Sequence, residues 1–99
     1  MSGGFGADSI PRRVQGANGE PFGDDFIVLD SQGRTLRGLN ATAARVWQLC
    51  DGKRSARAVA EQVAHEFAVD VGQVLPDTLR FLTELARLGL IEEEHLEVR

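Results

Sequence analysis

A change of hydrophobic period at Asn40 constrains this chain more than any other feature. Before it, apolar residues form a short block and then alternate; after it, they recur every three or four residues. Asp25-Phe26-Ile27-Val28-Leu29-Asp30 is β-branched and aromatic, too short for a helix, and reads as a buried central strand. Ser31-Gln32-Gly33 supplies a tight turn, with Gly33 free to take a positive φ. Arg34-Thr35-Leu36-Arg37-Gly38-Leu39 then alternates, with Leu36 on one face and Arg37 on the other. Its polarity suits an edge strand, and Gly38 permits a bulge or the close approach of another backbone.

Asn40 is a good N-cap, because its side-chain oxygen can accept an orphan N–H of the first turn. The helix it opens should run to about Cys50, bury Ala43, Val46, Trp47 and Cys50, and stop at Asp51-Gly52. Ser55 caps a second helix with apolar positions Ala56, Val59, Ala60, Val63 and Phe67. Asp70 with Gln73 gives a capping-box pattern for a third. Pro76 then leaves two arrangements open: a kinked helix, or a short turn followed by a helix with Pro76 in its first turn. The stripe Leu75, Thr78, Leu79, Leu82, Leu85 and Ala86 continues that helix, Phe81 and Leu88 widen it, and Gly89 reads as its C-terminal cap.

Residues 1–9 read as a flexible tail, and Ile10 to Gln15 as a first short strand. Residues 16–23 read as a loop from their Gly, Asn and Pro content. Leu90-Ile91 returns to the core, and residues 92–99 are expected to be a short strand or an acidic tail. The expected architecture is α+β: three antiparallel strands followed by three helices (βββααα), similar to a winged helix-turn-helix. The domain is expected over residues 10–93, with tails at 1–9 and 94–99.

Ninety-nine residues make one domain with a modest core. No apolar run reaches the roughly 18 residues of a membrane span, and residues 1–6 lack the basic and apolar regions of a signal peptide. A lone Cys50 cannot form an internal disulfide, and with no export signal a cytoplasmic location is expected. The net charge of −4 is unevenly spread. Residues 34–57 carry six basic side chains against Asp51, whereas the segments on either side are acidic. The basic block is either a solvated face or an attractor for an anionic partner. Overall acidity argues against general nucleic-acid binding.

Little here could carry chemistry. His65 and His95 lie far apart with no cysteine pair, so no metal site is expected. Cys50 falls on an apolar helix face, where a small core residue is the simpler reading than a nucleophile. No phosphate-binding glycine loop and no GxSxG motif occurs. The carboxylates at Asp24-Asp25 and at 92–94 read as solvating groups. No catalytic residue and no cofactor is assigned, and the chain is read as a non-enzyme.

The run Leu39-Asn40-Ala41-Thr42-Ala43-Ala44-Arg45-Val46-Trp47, followed by Leu49-Cys50-Asp51-Gly52 and later by Phe81-Leu82-Thr83-Glu84-Leu85 and Gly89-Leu90-Ile91, resembles the PqqD family. These are the peptide-recognition elements of ribosomally made, modified peptides, and the resemblance covers roughly residues 11–93. It implies a non-catalytic adaptor that binds the leader of a precursor peptide and presents it to a modifying enzyme, often a radical SAM enzyme. The peptide would add as a strand beside the third strand, in the groove towards helix three. Carried over, Arg34, Thr35, Leu36, Arg37, Gly38 and Leu39 would supply main-chain hydrogen bonds, and Leu75, Thr78, Leu79 and Leu82 the wall. Arg34 and Arg37 would suit an acidic leader. Members serving pyrroloquinoline quinone synthesis usually have a Pro-Glu turn where this chain has Asp30-Ser31-Gln32-Gly33. The resemblance therefore leaves open that pathway or another. Two other readings stand beside this one. A winged-helix DNA-binding regulator asks for a basic third helix, but residues 71–88 balance Asp77 and Glu84 against Arg80 and Arg87. A structural module forming a homodimer is the third.

Overall fold

The computed structural model describes residues 5–34 and 36–94. Its elements run β1 (Ile10–Arg13), β2 (Asn18–Phe22), β3 (Asp25–Leu29), β4 (Leu36–Leu39), α1 (Ala41–Gln48), α2 (Ala56–Phe67), α3 (Val71–Arg87) and β5 (Ile91–Glu94). The expected α+β class, with a three-stranded antiparallel sheet and three helices, is what the chain forms.

The strands that build the sheet differ from those expected. The sheet is the meander β2-β3-β4, and β1 instead pairs antiparallel with β5 in a separate ribbon, Ile10 opposite Glu94 and Arg13 opposite Ile91. Residues 18–22, expected as loop, are β2. Gly19 and Pro21 hide it as a strand, yet each suits its place. Both lie on an edge strand, where a missing N–H breaks no ladder when it faces outwards. A Cβ at Gly19 would sit 2.5 Å from Trp47 Cζ3 and 2.6 Å from Phe26 Cε2. These two rings stack at a tilt, 6.0 Å between centroids, and the Arg13 guanidinium covers Trp47 at 5.4 Å. Gly19→Ala should therefore destabilise the domain by about 1–3 kcal/mol through overpacking, read from the denaturation midpoint by the fluorescence of Trp47, the single tryptophan.

The helix starts follow the sequence at two of three places. Asn40 Oδ1 accepts the Ala43 N–H at 2.8 Å, and Ser55 Oγ accepts that of Ala58 at 3.1 Å. Asp70 takes up N-cap geometry, but its carboxylate makes no cap bond; its main-chain oxygen accepts from Gln73 and Val74 instead, so the capping box does not form. Helix α3 begins at Val71 and carries Pro76 inside it, so Pro76 does not open a helix. The Gly72 carbonyl is the acceptor that proline leaves without its i+4 donor. At the other end, Gly89 has φ 78°, with Gly89 N–H to Ala86 O and Leu90 N–H to Leu85 O. That pair of bonds is a Schellman turn, and it aims the chain back at the core.

Helix α1 ends at Gln48, short of the expected Cys50, though Leu49 and Cys50 are still buried. On α2, Ala56, Val59, Ala60 and Val63 are buried as expected, but Phe67 is exposed with Val69 and Val71, because the α2–α3 corner outruns the core. Residues 5–9, expected as part of a tail, lie against the helices. Ser9 and Ala7 carbonyls accept the Ala56 and Arg57 N–H groups, and Phe5 N–H donates to Thr83 Oγ1 at 3.1 Å. The unsatisfied donors of the α2 N-terminus explain this attachment. The remaining tail residues, 1–4 and 95–99, lie outside the described residues.

The core sits between the sheet and the helices, with Val28, Leu39, Trp47, Val59, Val63, Leu82, Leu85, Leu90 and Ile91 in one cluster. Arg45 Nε and Nη2 each donate to Glu66 at 2.8 Å, joining α1 to α2. Those bonds, with one from Gln62, hold the Glu66 carboxyl down to about 2. A depressed folded-state value contributes stability above the unfolded carboxylate range and loses it as pH falls through the folded value. The Glu66 carboxyl carbon shift, followed by NMR, should accordingly titrate near pH 2 rather than near 4. Among the described residues, no helix is long and apolar enough to cross a membrane.

Candidate functional site

Strand β4 is an edge. In the meander it pairs on one side with β3, in the register Phe26 to Leu39, Ile27 to Gly38, Val28 to Arg37 and Leu29 to Leu36. Among the described residues no strand lies on its other side. Which of its peptide groups are free follows from the turn before β3. Phe22 and Asp25 flank a two-residue turn, with Gly23 at φ 64°, so they form a hydrogen-bonded pair. Alternation then directs the amides of Phe26 and Val28 at β4, where Leu39 and Arg37 answer them. The N–H and C=O groups of Leu36 and Gly38 face outwards from the sheet edge.

The side chains of β4 divide between two faces. Leu36 and Gly38 share the outer face with Ile27, Leu29 and Phe22. Leu36 is 63% exposed beside a hollow of about 220 Å³. A Cβ at Gly38 would meet nothing within 4 Å, so another backbone can approach there. Arg37 and Leu39 take the inner face. Leu39 is in the core at 3% exposure, whereas Arg37 reaches α3 and pairs with Glu84. The expected strand over residues 34–39 starts late. The Asp30 carboxylate accepts the Gln32 N–H at 3.2 Å and the Arg34 N–H at 2.8 Å, which holds Arg34 in the turn. Thr35 lies outside the described residues.

Next to the end of β4 a groove of about 270 Å³ runs between α1 and α3. It is lined by Asn40, Thr42, Ala43, Val46, Val74, Asp77, Thr78 and Phe81. The four wall residues expected on α3 do not come together there. Thr78, 3% exposed, lies in the groove floor. Leu82 is fully buried in the core, so its side chain is not part of a wall. Leu79 lines a larger hollow of about 710 Å³ with Phe5, Arg80, Thr83, Glu84 and Arg87, which shares Asp77 and Phe81 with the groove. Leu75 is half-buried and lines neither space. Val74, Asp77 and Phe81, which the sequence reading did not put in the wall, line the groove with Thr78. Their signal was the spacing 74, 77/78, 81, 84 along one flank of α3, which is less apolar than the stripe the core takes.

The lone cysteine of the sequence is buried. Burial pushes the Cys50 thiol up to about 12, and its sulfur lies 3.2 Å from the Val46 carbonyl to which it donates. A thiol in that state is not a ready nucleophile. Among the described residues no group of three or more His, Cys, Asp or Glu side chains could hold a metal ion. On the exposed side of α3, Arg80 pairs with Asp77 within the helix, as Arg37 pairs with Glu84 across to the sheet.

Known proteins share this fold. The solution structure of the PqqD truncation of Methylobacterium extorquens PqqCD, described as a stand-alone recognition element for ribosomally synthesised, post-translationally modified peptides, superposes with a TM-score of 0.76 at 21% identity, covering 89% of this chain and 94% of that one. TbiB1 in complex with the TbiA(β) leader peptide gives 0.70 at 24% identity, over 87% and 99% of the two chains. Lasso peptide synthetase B1 complexed with the leader peptide gives 0.70 at 22%, over 84% and 98%. At those identities the likeness is one of fold. In sequence, a PqqA binding protein of Rhodopseudomonas palustris (strain BisB5) is 35% identical over 51 residues, 52% of this chain, and the chain spans about half that relative's length. The model of the family described as coenzyme PQQ synthesis protein D (PqqD) matches residues 25–91, from β3 to the first residue of β5, and the chain belongs to that family.

Proposed function

We propose that this protein is a non-catalytic adaptor that binds the leader segment of a ribosomally made precursor peptide and presents it to a modifying enzyme, of the radical SAM or another type. The observation that carries this reading is the open edge of β4. Two outward peptide units, at Leu36 and Gly38, lie on an edge strand whose end, at Asn40, borders a groove with Thr78 in its floor and Phe81 in its wall. An extended peptide pairing there gains main-chain hydrogen bonds from the edge, and its alternate side chains meet the groove and the outer apolar face. Backbone pairing gives affinity and the pockets give selectivity. The similar structures that hold leader peptides, and the curated relative that binds PqqA, support the same use of the fold. Arg34, Leu36, Arg37, Gly38 and Leu39 contribute through β4 and its entry turn, Thr35 is proposed with them from sequence alone, and Val74, Asp77, Thr78 and Phe81 form the groove on α3.

The test is an NMR titration of the full chain with leader peptides of candidate precursors from its gene neighbourhood. Amide shifts in residues 36–39 and along α3 are expected to move together, at micromolar peptide. Movement elsewhere with these signals still would refute the reading. Whether that precursor belongs to pyrroloquinoline quinone synthesis or to another modified-peptide pathway follows from the peptide that binds.

A further inference from the structure

Arg37 has an unusual position on β4. It points to the inner face, as Leu39 does, yet it is not in the core: its side chain is 36% exposed and bridges to Glu84 on α3, itself 42% exposed. The pair joins the sheet edge to the helix on the inner face of β4, the face that half the side chains of an added strand would share. An added strand places every second side chain on the inner face, beside Arg37 and towards α3. The other charges on this side of α3 do not serve Arg37. Asp77 is engaged by Arg80, and Arg87, one turn beyond Glu84, has no ion-pair partner among the described residues. With Glu84 drawn to Arg37 and Arg87 close by in sequence, the balance around the bridge is cationic.

Resting on the peptide-docking reading above, we infer that Arg37 is a specificity-determining residue for a carboxylate at the inner-facing peptide position beside it, and that Glu84 is the internal competitor this carboxylate displaces. A peptide Asp or Glu replaces the bonds Glu84 gives up. An amide or apolar side chain leaves Arg37 with Glu84 and gains nothing from it. The exchange trades one exposed ion pair for another, so its effect is one of selectivity, up to about fivefold.

The experiment uses the full chain and, as probe, the leader segment of the precursor peptide used in the titration above, with each Asp and Glu changed singly to Asn and Gln, followed by calorimetry at low salt. One position is expected to bind about fivefold more weakly in its amide form. That ratio should fall to about one in Arg37→Gln, whereas Glu84→Gln should bind the acidic peptide about threefold tighter and leave the amide form unchanged. Trp47 fluorescence checks that both variants remain folded. A ratio that persists in Arg37→Gln, or an affinity unmoved by Glu84→Gln, overturns the inference. So does a peptide that binds equally well in all its amide forms, which leaves the docking reading intact. A peptide that does not bind at all overturns both.

Discussion

Replacing Gly38 with proline should weaken leader-peptide binding about ten- to a hundredfold while the domain stays folded. The N–H of Gly38 faces away from β3, so its loss removes nothing from the β3–β4 ladder. A docked peptide would lose a hydrogen bond and keep a carbonyl without a donor, which costs about 1–3 kcal/mol, and the proline ring would crowd the approach. Leu36→Pro should act in the same direction, because Leu36 holds the other outward amide. Gly38→Ala is the control. Its Cβ meets nothing within 4 Å, and the N–H is kept, so binding should change by less than about threefold. Calorimetric titration of the three variants separates a backbone-pairing site from one that merely uses the surface of β4. Equal affinities for Gly38→Pro and Gly38→Ala would count against pairing.

Leu82→Ala should act on folding instead. Leu82 is fully buried with Leu85, Val59 and Val63, so truncating it loses transfer energy and opens a cavity, about 2–5 kcal/mol in all. For a domain of this size that is a large share of the stability available. Urea denaturation followed by Trp47 fluorescence reads the loss directly. The affinity of the folded fraction for a leader peptide should be unchanged. Phe81→Ala is the counterpart: Phe81 is half-buried and lines the groove, so its truncation should weaken binding more than it weakens the fold. If Leu82→Ala instead left stability intact and removed binding, the division of α3 between core and groove would be wrong.

That division explains what was legible in the sequence and what was not. Local signals carried well: Asn40, Ser55, Gly33 and Gly89 occupy the cap and turn positions their chemistry suits. So did the period change at Asn40, because strand and helix periods are properties of neighbouring residues. Long-range pairings did not carry. The ribbon of β1 with β5 joins the two ends of the described chain, and nothing near Ile10 announces Glu94 as its partner. Strand β2 was hidden by Gly19 and Pro21, whose fitness depends on the Trp47 and Phe26 rings and on an edge position. The edge strand of the site was legible as a strand with mixed polarity. The α3 wall was not, because the most apolar stripe of an amphipathic helix belongs to the core, and a binding groove is left with the flank beside it. The Arg37–Glu84 bridge was equally out of reach, since it depends on how the sheet lies against α3.

Amide hydrogen exchange with and without a precursor leader peptide tests the central claim most directly. Arg37 and Leu39 donate into the β3–β4 ladder and should be protected in both states, whereas Leu36 and Gly38 should exchange readily alone and become protected when the peptide is added. Protection gained at Leu36 and Gly38 together is the predicted result; a peptide that binds while both amides go on exchanging as before would contradict strand addition at β4.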